Sequence, residues 1–181
     1  MIKVRPSPVV AVLCAGFAMA QDKPAPAPVT KSPQAAIAAA MAKAKAHNKR
    51  VLVVFEQQDH KLCAELAKTM KTHRDLSSLL RYEFDVATVD ATAAADEAKA
   101  RDFTAAAEVP ALLVLSADDK VLGKFTAKDF VEGDALSTAS LIAKLKELKA
   151  APLDAEKVLA EGLSTAKKTD FRVFLRFDAP W

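Results

Sequence analysis

The sequence predicts an α/β fold in which helices flank a central β-sheet. Two observations support this prediction: helix-forming and strand-forming segments alternate along the chain, and the run from Arg50 to Glu56 is almost continuously apolar. A strand of that composition is covered on both faces, which places it inside a parallel or mixed sheet. Periodicity by itself supports a layered α/β architecture and no narrower class.

The first half of the domain is predicted from helix caps and apolar periodicity. Ser32-Pro33 is typical of an N-cap followed by proline at the first helical position, so a helix begins there and runs to about His47. Its buried stripe consists of Ile37, Met41 and Ala44. The apolar strand follows, and then come a helix over residues 60–71 and a shorter one over residues 75–80.

The second half continues the alternation. A strand over residues 83–90 has Phe84, Val86 and Thr88 on one face, and a helix capped by Thr92 is predicted to extend to about Ala105. The runs 112–115 and 121–125, joined by a short polar turn, are typical of an antiparallel hairpin. A helix over residues 136–149 closes the domain.

The chain also contains an internal repeat. Residues 35–59 align without a gap with residues 157–181, and each copy is predicted to be a helix followed by a buried strand. The identical pairs are Ala38/Ala160, Ala44/Ala166, Lys45/Lys167, Arg50/Arg172, Val51/Val173 and Phe55/Phe177. Residues 154–181 are therefore predicted to be the incomplete start of a second domain.

The ends of both copies resemble thioredoxins. The segment Phe177-Asp178-Ala179-Pro180-Trp181 resembles the F-x-A-x-W that in thioredoxins runs directly into the Cys-x-x-Cys redox motif. In the first copy the same spacing from Phe55 leads to His60-Lys61-Leu62-Cys63, so histidine stands where a thioredoxin has its first cysteine. Val109-Pro110, followed by an apolar run, matches the proline that thioredoxins hold in cis beside the active site.

The resemblance implies a thioredoxin-like fold with a central mixed sheet for residues 32–149 and the first helix and strand of a second copy for residues 154–181. It implies that His60 and Cys63 occupy the catalytic positions. It further implies a substrate groove bordered by Asp59, Val109 and Pro110. From the residues alone, Asp59 is also predicted to be the N-cap of the helix that carries Cys63.

The chemistry of His60 and Cys63 has four interpretations. A dithiol oxidoreductase needs two sulfurs at the head of one helix, so this domain alone is not expected to exchange disulfides. The pair could be a relic in which Cys63 packs as a small hydrophobic residue, or a monothiol site in which His60 accepts the thiol proton. It could also be part of a metal site, for which two ligands are too few. The fourth interpretation is a peptide groove beside Pro110, which needs no cysteine.

Two function classes therefore stay open. The chain is either a non-catalytic module that binds peptides or proteins, or the N-terminal part of a thiol-disulfide oxidoreductase whose Cys-x-x-Cys lies beyond Trp181. No metal-ligand set and no phosphate-binding glycine pattern is present, so neither a metal nor a cofactor is expected.

The first 31 residues predict export. Lys3 and Arg5 precede a short apolar run that ends in Ala18-Met19-Ala20, which is typical of a signal peptide cleaved after Ala20 and too short for a membrane span. Residues 21–31 form a linker rich in alanine, proline and lysine. We therefore expect a periplasmic or otherwise exported protein without stable membrane insertion after cleavage.

Charge argues against nucleic acid as a partner. Of the 26 basic residues, Lys3 and Arg5 leave with the signal peptide, so that 24 remain against 23 acidic ones. A net charge this small gives no reason to expect binding to nucleic acid or to an anionic membrane. Protein or peptide clients are the partners that the sequence favours.

Overall fold

A computed structural model describes residues 32–105, 108–133 and 135–175. The predicted signal peptide, the whole linker and the end of the second copy lie outside these residues. Within them, no helix is both long enough and apolar enough to cross a membrane.

Four strands form one mixed sheet in the order β2-β1-β3-β4. The central strand β1 pairs in parallel with β2 and antiparallel with β3, and β3 and β4 form the predicted hairpin. The mixed sheet that the sequence predicts is thereby confirmed. The bounds are β1 Arg50–Glu56, β2 Phe84–Asp90, β3 Ala111–Leu115 and β4 Val121–Phe125.

Helices cover both faces of the sheet. On one face lie α1 and α4, and on the other lie α2, α3 and α5, so that two apolar layers enclose the strands. The bounds are α1 Pro33–His47, α2 Lys61–Thr72, α3 Arg74–Glu83, α4 Ala95–Lys99, α5 Thr138–Glu147 and α6 Ala155–Thr169. Between β4 and α5 the chain forms a 3-10 turn (Ala127–Asp129) and the short strands β5 (Val131–Glu132) and β6 (Ala135–Leu136).

Strand β1 holds the two layers together. Its residues alternate between them: Val51, Val53 and Phe55 pack in the layer of α1, whereas Leu52 and Val54 pack in the layer of α2. All five side chains are buried, which confirms that the apolar run is the interior strand of the sheet. Strand β1 ends at Glu56, and the loop after it leads to the start of α2.

The caps of α1 agree with the sequence. The Ser32 hydroxyl accepts a hydrogen bond from the Ala35 amide at 3.2 Å, and proline opens the helix. At the other end Asn48 adopts the left-handed conformation, and the Lys49 amide donates to the Ala44 carbonyl at 2.9 Å. Asn48 and Lys49 are therefore the whole connection between α1 and β1.

Helix α6 reproduces α1 at both ends. It has the same length of 15 residues, and the Asp154 carboxylate caps its start at the position equivalent to Ser32. At its end Asp170 is left-handed, as Asn48 is, and the Phe171 amide donates to the Ala166 carbonyl at 3.0 Å. The predicted strand after it is not formed over residues 171–175, which are exposed and pair with no other strand.

Two predicted helices begin later than the sequence indicates, and the first of them is also shorter. Helix α4 is confined to Ala95–Lys99, and the loop before it is capped by the Asp90 carboxylate, which accepts from the amides of Thr92 and Ala93, so Thr92 is not the cap. Helix α5 begins at Thr138 because Leu136 belongs to β6. In β2, Phe84, Val86 and Thr88 lie on one face, as the sequence predicts, but only Phe84 is buried because β2 is an edge strand of the sheet.

Candidate functional site

The head of α2 brings His60 and Cys63 together. His60 is the N-cap residue, with extended backbone angles (φ −88°, ψ 119°) and no capping bond from its side chain. Cys63 lies on the first turn, and its Sγ is 3.5 Å from His60 Nδ1. The two positions that the resemblance identifies are therefore in contact, as the i,i+3 spacing allows.

Asp59 is not the N-cap of α2, contrary to the prediction. Its backbone is left-handed, with φ 62°, and the helix begins one residue later. Aspartate tolerates this conformation better than most residues because its short polar side chain can bond locally. The side chain is exposed and borders the cleft described below.

Burial makes Cys63 a poor nucleophile. The residue is 5 % exposed, on the same inner face of α2 as the buried Leu66. Burial raises the pKa of the Cys63 thiol above its usual value, a backbone hydrogen bond with Gln57 opposes this, and the nearby Glu56 carboxylate raises the pKa further. The protonated thiol is the favoured form, and in the 3.5 Å contact between Cys63 Sγ and His60 Nδ1 the tautomer of the imidazole decides which group donates.

Two clefts meet at Cys63. The larger, of about 740 Å³, reaches Pro110 and continues along β2 between Val86 and Met70. The smaller, of about 480 Å³, is bordered by Asp59 and His60. Val109 is half-buried and lines neither of these two clefts. The structure thus brings Cys63, His60, Asp59 and Pro110 to one surface.

The peptide bond between Val109 and Pro110 is cis, as the resemblance implies. The residue before it, Glu108, forms an ion pair with Lys128 of the 3-10 turn. Hydrogen bonds from Lys128 and Thr126 lower the pKa of the Glu108 carboxyl from its usual value. Sequence analysis missed this contact because its partners are twenty residues apart and no periodic pattern connects them.

The smaller cleft has an acidic border. Glu56, Asp59 and Asp90 line it together with His60, and no lysine or arginine does. In the part of the chain that the structure describes, no group of three or more histidine, cysteine, aspartate or glutamate side chains is arranged to hold a metal ion. What remains at the surface is a groove with one shielded thiol and one imidazole.

Native Cys63 is expected to react slowly with iodoacetamide. Only the thiolate reacts, and burial both disfavours the thiolate and blocks access. The native state holds the thiol proton more tightly than the unfolded chain does, so this group stabilises the fold below its ordinary pKa and that stabilisation is lost as pH rises through the native pKa. The measurement is the alkylation rate against pH in buffer and in urea. Rapid alkylation of the native protein near neutral pH would instead favour the monothiol interpretation.

Comparison with known proteins supports a thioredoxin-like domain. A family model described as a thioredoxin-like domain matches residues 37–132. The crystal structure of disulphide isomerase from Xylella fastidiosa Temecula1 is similar with a TM-score of 0.58 and 18 % identity, over 68 % of this chain and 95 % of that chain. The solution structure of the first thioredoxin domain of mouse Protein disulfide-isomerase A4 matches with a TM-score of 0.39 and 20 % identity, over 60 % and 69 % of the two chains. No curated protein matches the sequence.

Proposed function

Because the chain belongs to the thioredoxin-like domain family, we propose that it is an exported thioredoxin-fold protein that binds extended peptides or proteins without redox catalysis. The observation that supports this most directly is that the buried Cys63 and Pro110 line one cleft, while His60 stands at the position of the first sulfur.

The remaining thiol does not supply a substitute chemistry. Attack on a substrate disulfide requires an accessible thiolate, and a second thiol must then release the substrate. Cys63 is buried, and that burial raises the pKa of its thiol. The position of the other cysteine holds His60, which cannot act as the second thiol. Binding is the function that this surface can still perform.

The groove offers groups suited to an extended chain. The Glu108–Lys128 ion pair links the residue before Val109 to the 3-10 turn at the surface of the protein. The clefts on either side of Cys63 then accept side chains from the bound peptide.

A steric block tests this proposal. Ala64 is exposed at the border of the smaller cleft, and Ala64→Trp fills the space beside His60. Reduced and alkylated insulin B chain, followed by fluorescence anisotropy, is expected to bind the unmodified protein and to bind Ala64→Trp at least about tenfold more weakly. Ala46→Trp, on an exposed face of α1 on the other side of the sheet, is the matched control. Equal binding by all three proteins would contradict the groove, as would no binding by any of them.

Export is the second part of the proposal. It rests on the basic start, the short apolar run and the Ala18-Met19-Ala20 site. Residues 1–31 fused to alkaline phosphatase, which is active only after its disulfides form in an oxidising compartment, are expected to give active enzyme in a bacterial host. A charge in the apolar run, Leu13→Asp, is expected to abolish that activity, and an inactive fusion with the unchanged segment would contradict export.

A further inference from the structure

Strand β2 is the edge of the sheet. One side of it pairs with β1 over its whole length, and among the described residues no strand pairs with the other side. The backbone N–H and C=O groups on that side are therefore available to a further strand. Val86, near the middle of β2, is 40 % exposed.

The large cleft runs beside this edge. Its lining includes the apolar residues Leu66, Met70, Leu80 and Phe84 next to Val86, together with charged residues that include Lys71, Arg81 and Asp85. Val86 pairs with Leu52 of β1. Ala111, the residue after Pro110, pairs with Phe55, three residues further along β1. The part of the cleft beside Val86 thus lies roughly 10 Å along the strand from the proposed peptide groove.

The complementary half of such an interface is also present in this chain. Residues 171–175 are exposed and unpaired, with Phe174 88 % exposed and Leu175 54 % exposed. This segment aligns with β1 in the internal repeat, so Arg172, Val173 and Phe174 correspond to Arg50, Val51 and Leu52. It therefore resembles the strand with which β2 already pairs on its other side.

We propose that residues 172–175 of a second copy of the chain add to the free edge of β2 as a parallel strand, in the register that β1 uses. Since Arg50 and Leu52 are level with Phe84 and Val86, the equivalent Phe174 of the second copy lies opposite Val86. Side chains at paired positions point to the same face of a sheet. Phe174 then enters the cleft, and Val173 and Leu175 point to the face that α1 covers.

Helix α6 completes this arrangement. In the first copy, Ile37 and Ala44 of α1 are buried against the sheet. The equivalent stripe on α6 has no such cover, with Leu159 37 % and Leu163 53 % exposed. Docked as α1 is, α6 of the second copy buries this stripe over Val173 and Leu175, so the helix and the strand lose their exposed apolar surface in one step.

As residues 151–154 are placed here, the tail of the same chain does not reach this edge. The Asn48 side-chain amide donates to the Ala151 carbonyl at 2.9 Å, so Ala151 lies beside the start of β1. A parallel strand requires α6 to begin at the opposite end of the sheet, about 23 Å away for a seven-residue strand. The three steps from Ala151 to Asp154 span at most about 11 Å. A second copy is therefore required, and reciprocal exchange closes a symmetric dimer.

Self-association is the first test. Light scattering after size-exclusion chromatography of the full chain is expected to show a concentration-dependent dimer. Val86→Asp and Phe174→Asp each place a charge in the contact, and each is expected to weaken dimerisation by at least about tenfold. Leu153→Asp, at an exposed position in the linker, is the matched control and is expected to dimerise normally. A monomer at all concentrations, or a dimer that Phe174→Asp disrupts and Val86→Asp does not, would overturn the proposal.

Disulfide trapping tests the register, and it does so independently of any loss of stability in the aspartate variants. In a background of Cys14→Ala and Cys63→Ala, the pair Val86→Cys and Phe174→Cys is expected to give a covalent dimer under mild oxidation, because directly opposed strand residues lie within disulfide reach. The pair Thr88→Cys and Phe174→Cys is two positions out of register and is expected to stay unlinked. Cross-linking by Phe174→Cys alone would show that two tails pair with each other instead.

Discussion

Replacing Phe55 by alanine is expected to lower the free energy of unfolding by about 3–5 kcal/mol. Phe55 is fully buried at the end of the central strand, and its ring meets that of Phe103 edge to face with centroids 5.7 Å apart. Its removal leaves a cavity between β1 and the loop after α4, which the fixed strands around it cannot fill. Urea unfolding followed by circular dichroism measures the loss.

The matched control for Phe55 is a phenylalanine outside the core. Phe171 is 75 % exposed after α6, so Phe171→Ala is expected to change the free energy of unfolding by no more than about 0.5 kcal/mol. The cycle of Phe55→Ala, Phe103→Ala and the double variant is expected to give a coupling of about 0.5–1.5 kcal/mol. Independent effects of the two substitutions would mean that the ring contact adds nothing beyond the apolar area it buries.

The core was predictable because burial leaves a periodic signal. The run of apolar residues in β1 is buried as the sequence predicts, and in the predicted stripe of α1 Ile37 and Ala44 are buried whereas Met41 is partly buried. The cap at Ser32 was equally local. The fold could be predicted wherever one segment carried its own pattern.

Short elements and long-range contacts carried no such signal. Residues 92–105 are rich in alanine and predict one long helix, but only Ala95–Lys99 is helical. There Arg101 leaves the helix to pair with Asp119 in the turn between β3 and β4, at 2.9 Å. Tertiary contacts overrode helix propensity at that point.

In the candidate site, too, local features were predictable from the sequence and long-range contacts were not. The spacing from Phe55 located His60 and Cys63, because both lie on one local segment and one helix turn joins them. The left-handed backbone of Asp59 was not predictable, since aspartate is also a common N-cap and the two uses look alike in sequence. The Glu108–Lys128 pair depends on a contact between distant loops.

Replacing His60 by cysteine is expected to restore a disulfide at the head of α2. The side chain of His60 already reaches within 3.5 Å of Cys63 Sγ, and residues one helix turn apart lie at a Cα separation that a disulfide can bridge, about 4.4–6.8 Å. Under mild oxidant we expect an intramolecular bond, seen as the loss of both alkylatable thiols in that domain. We also expect a weak gain of insulin-disulfide reduction, an activity that we do not expect of the unmodified chain.

The neighbouring Asp59 is expected to limit that activity. Its carboxylate disfavours a thiolate at position 60 and opposes the effect of the helix N-terminus. Tryptophan, the residue thioredoxins carry there, would be strained at a φ of 62°. Asp59→Asn removes the charge and tolerates that backbone, so the double variant His60→Cys and Asp59→Asn is expected to be the better reductase.

A matched control separates geometry from the mere presence of a second thiol. Lys61→Cys adds a cysteine one residue later on α2, where its side chain points away from Cys63, and is expected to form no intramolecular bond. If His60→Cys formed only intermolecular disulfides, positions 60 and 63 would not be the pair that a thioredoxin uses. The register drawn from Phe55 would then be wrong, and the proposed groove beside Pro110 would lose its main argument.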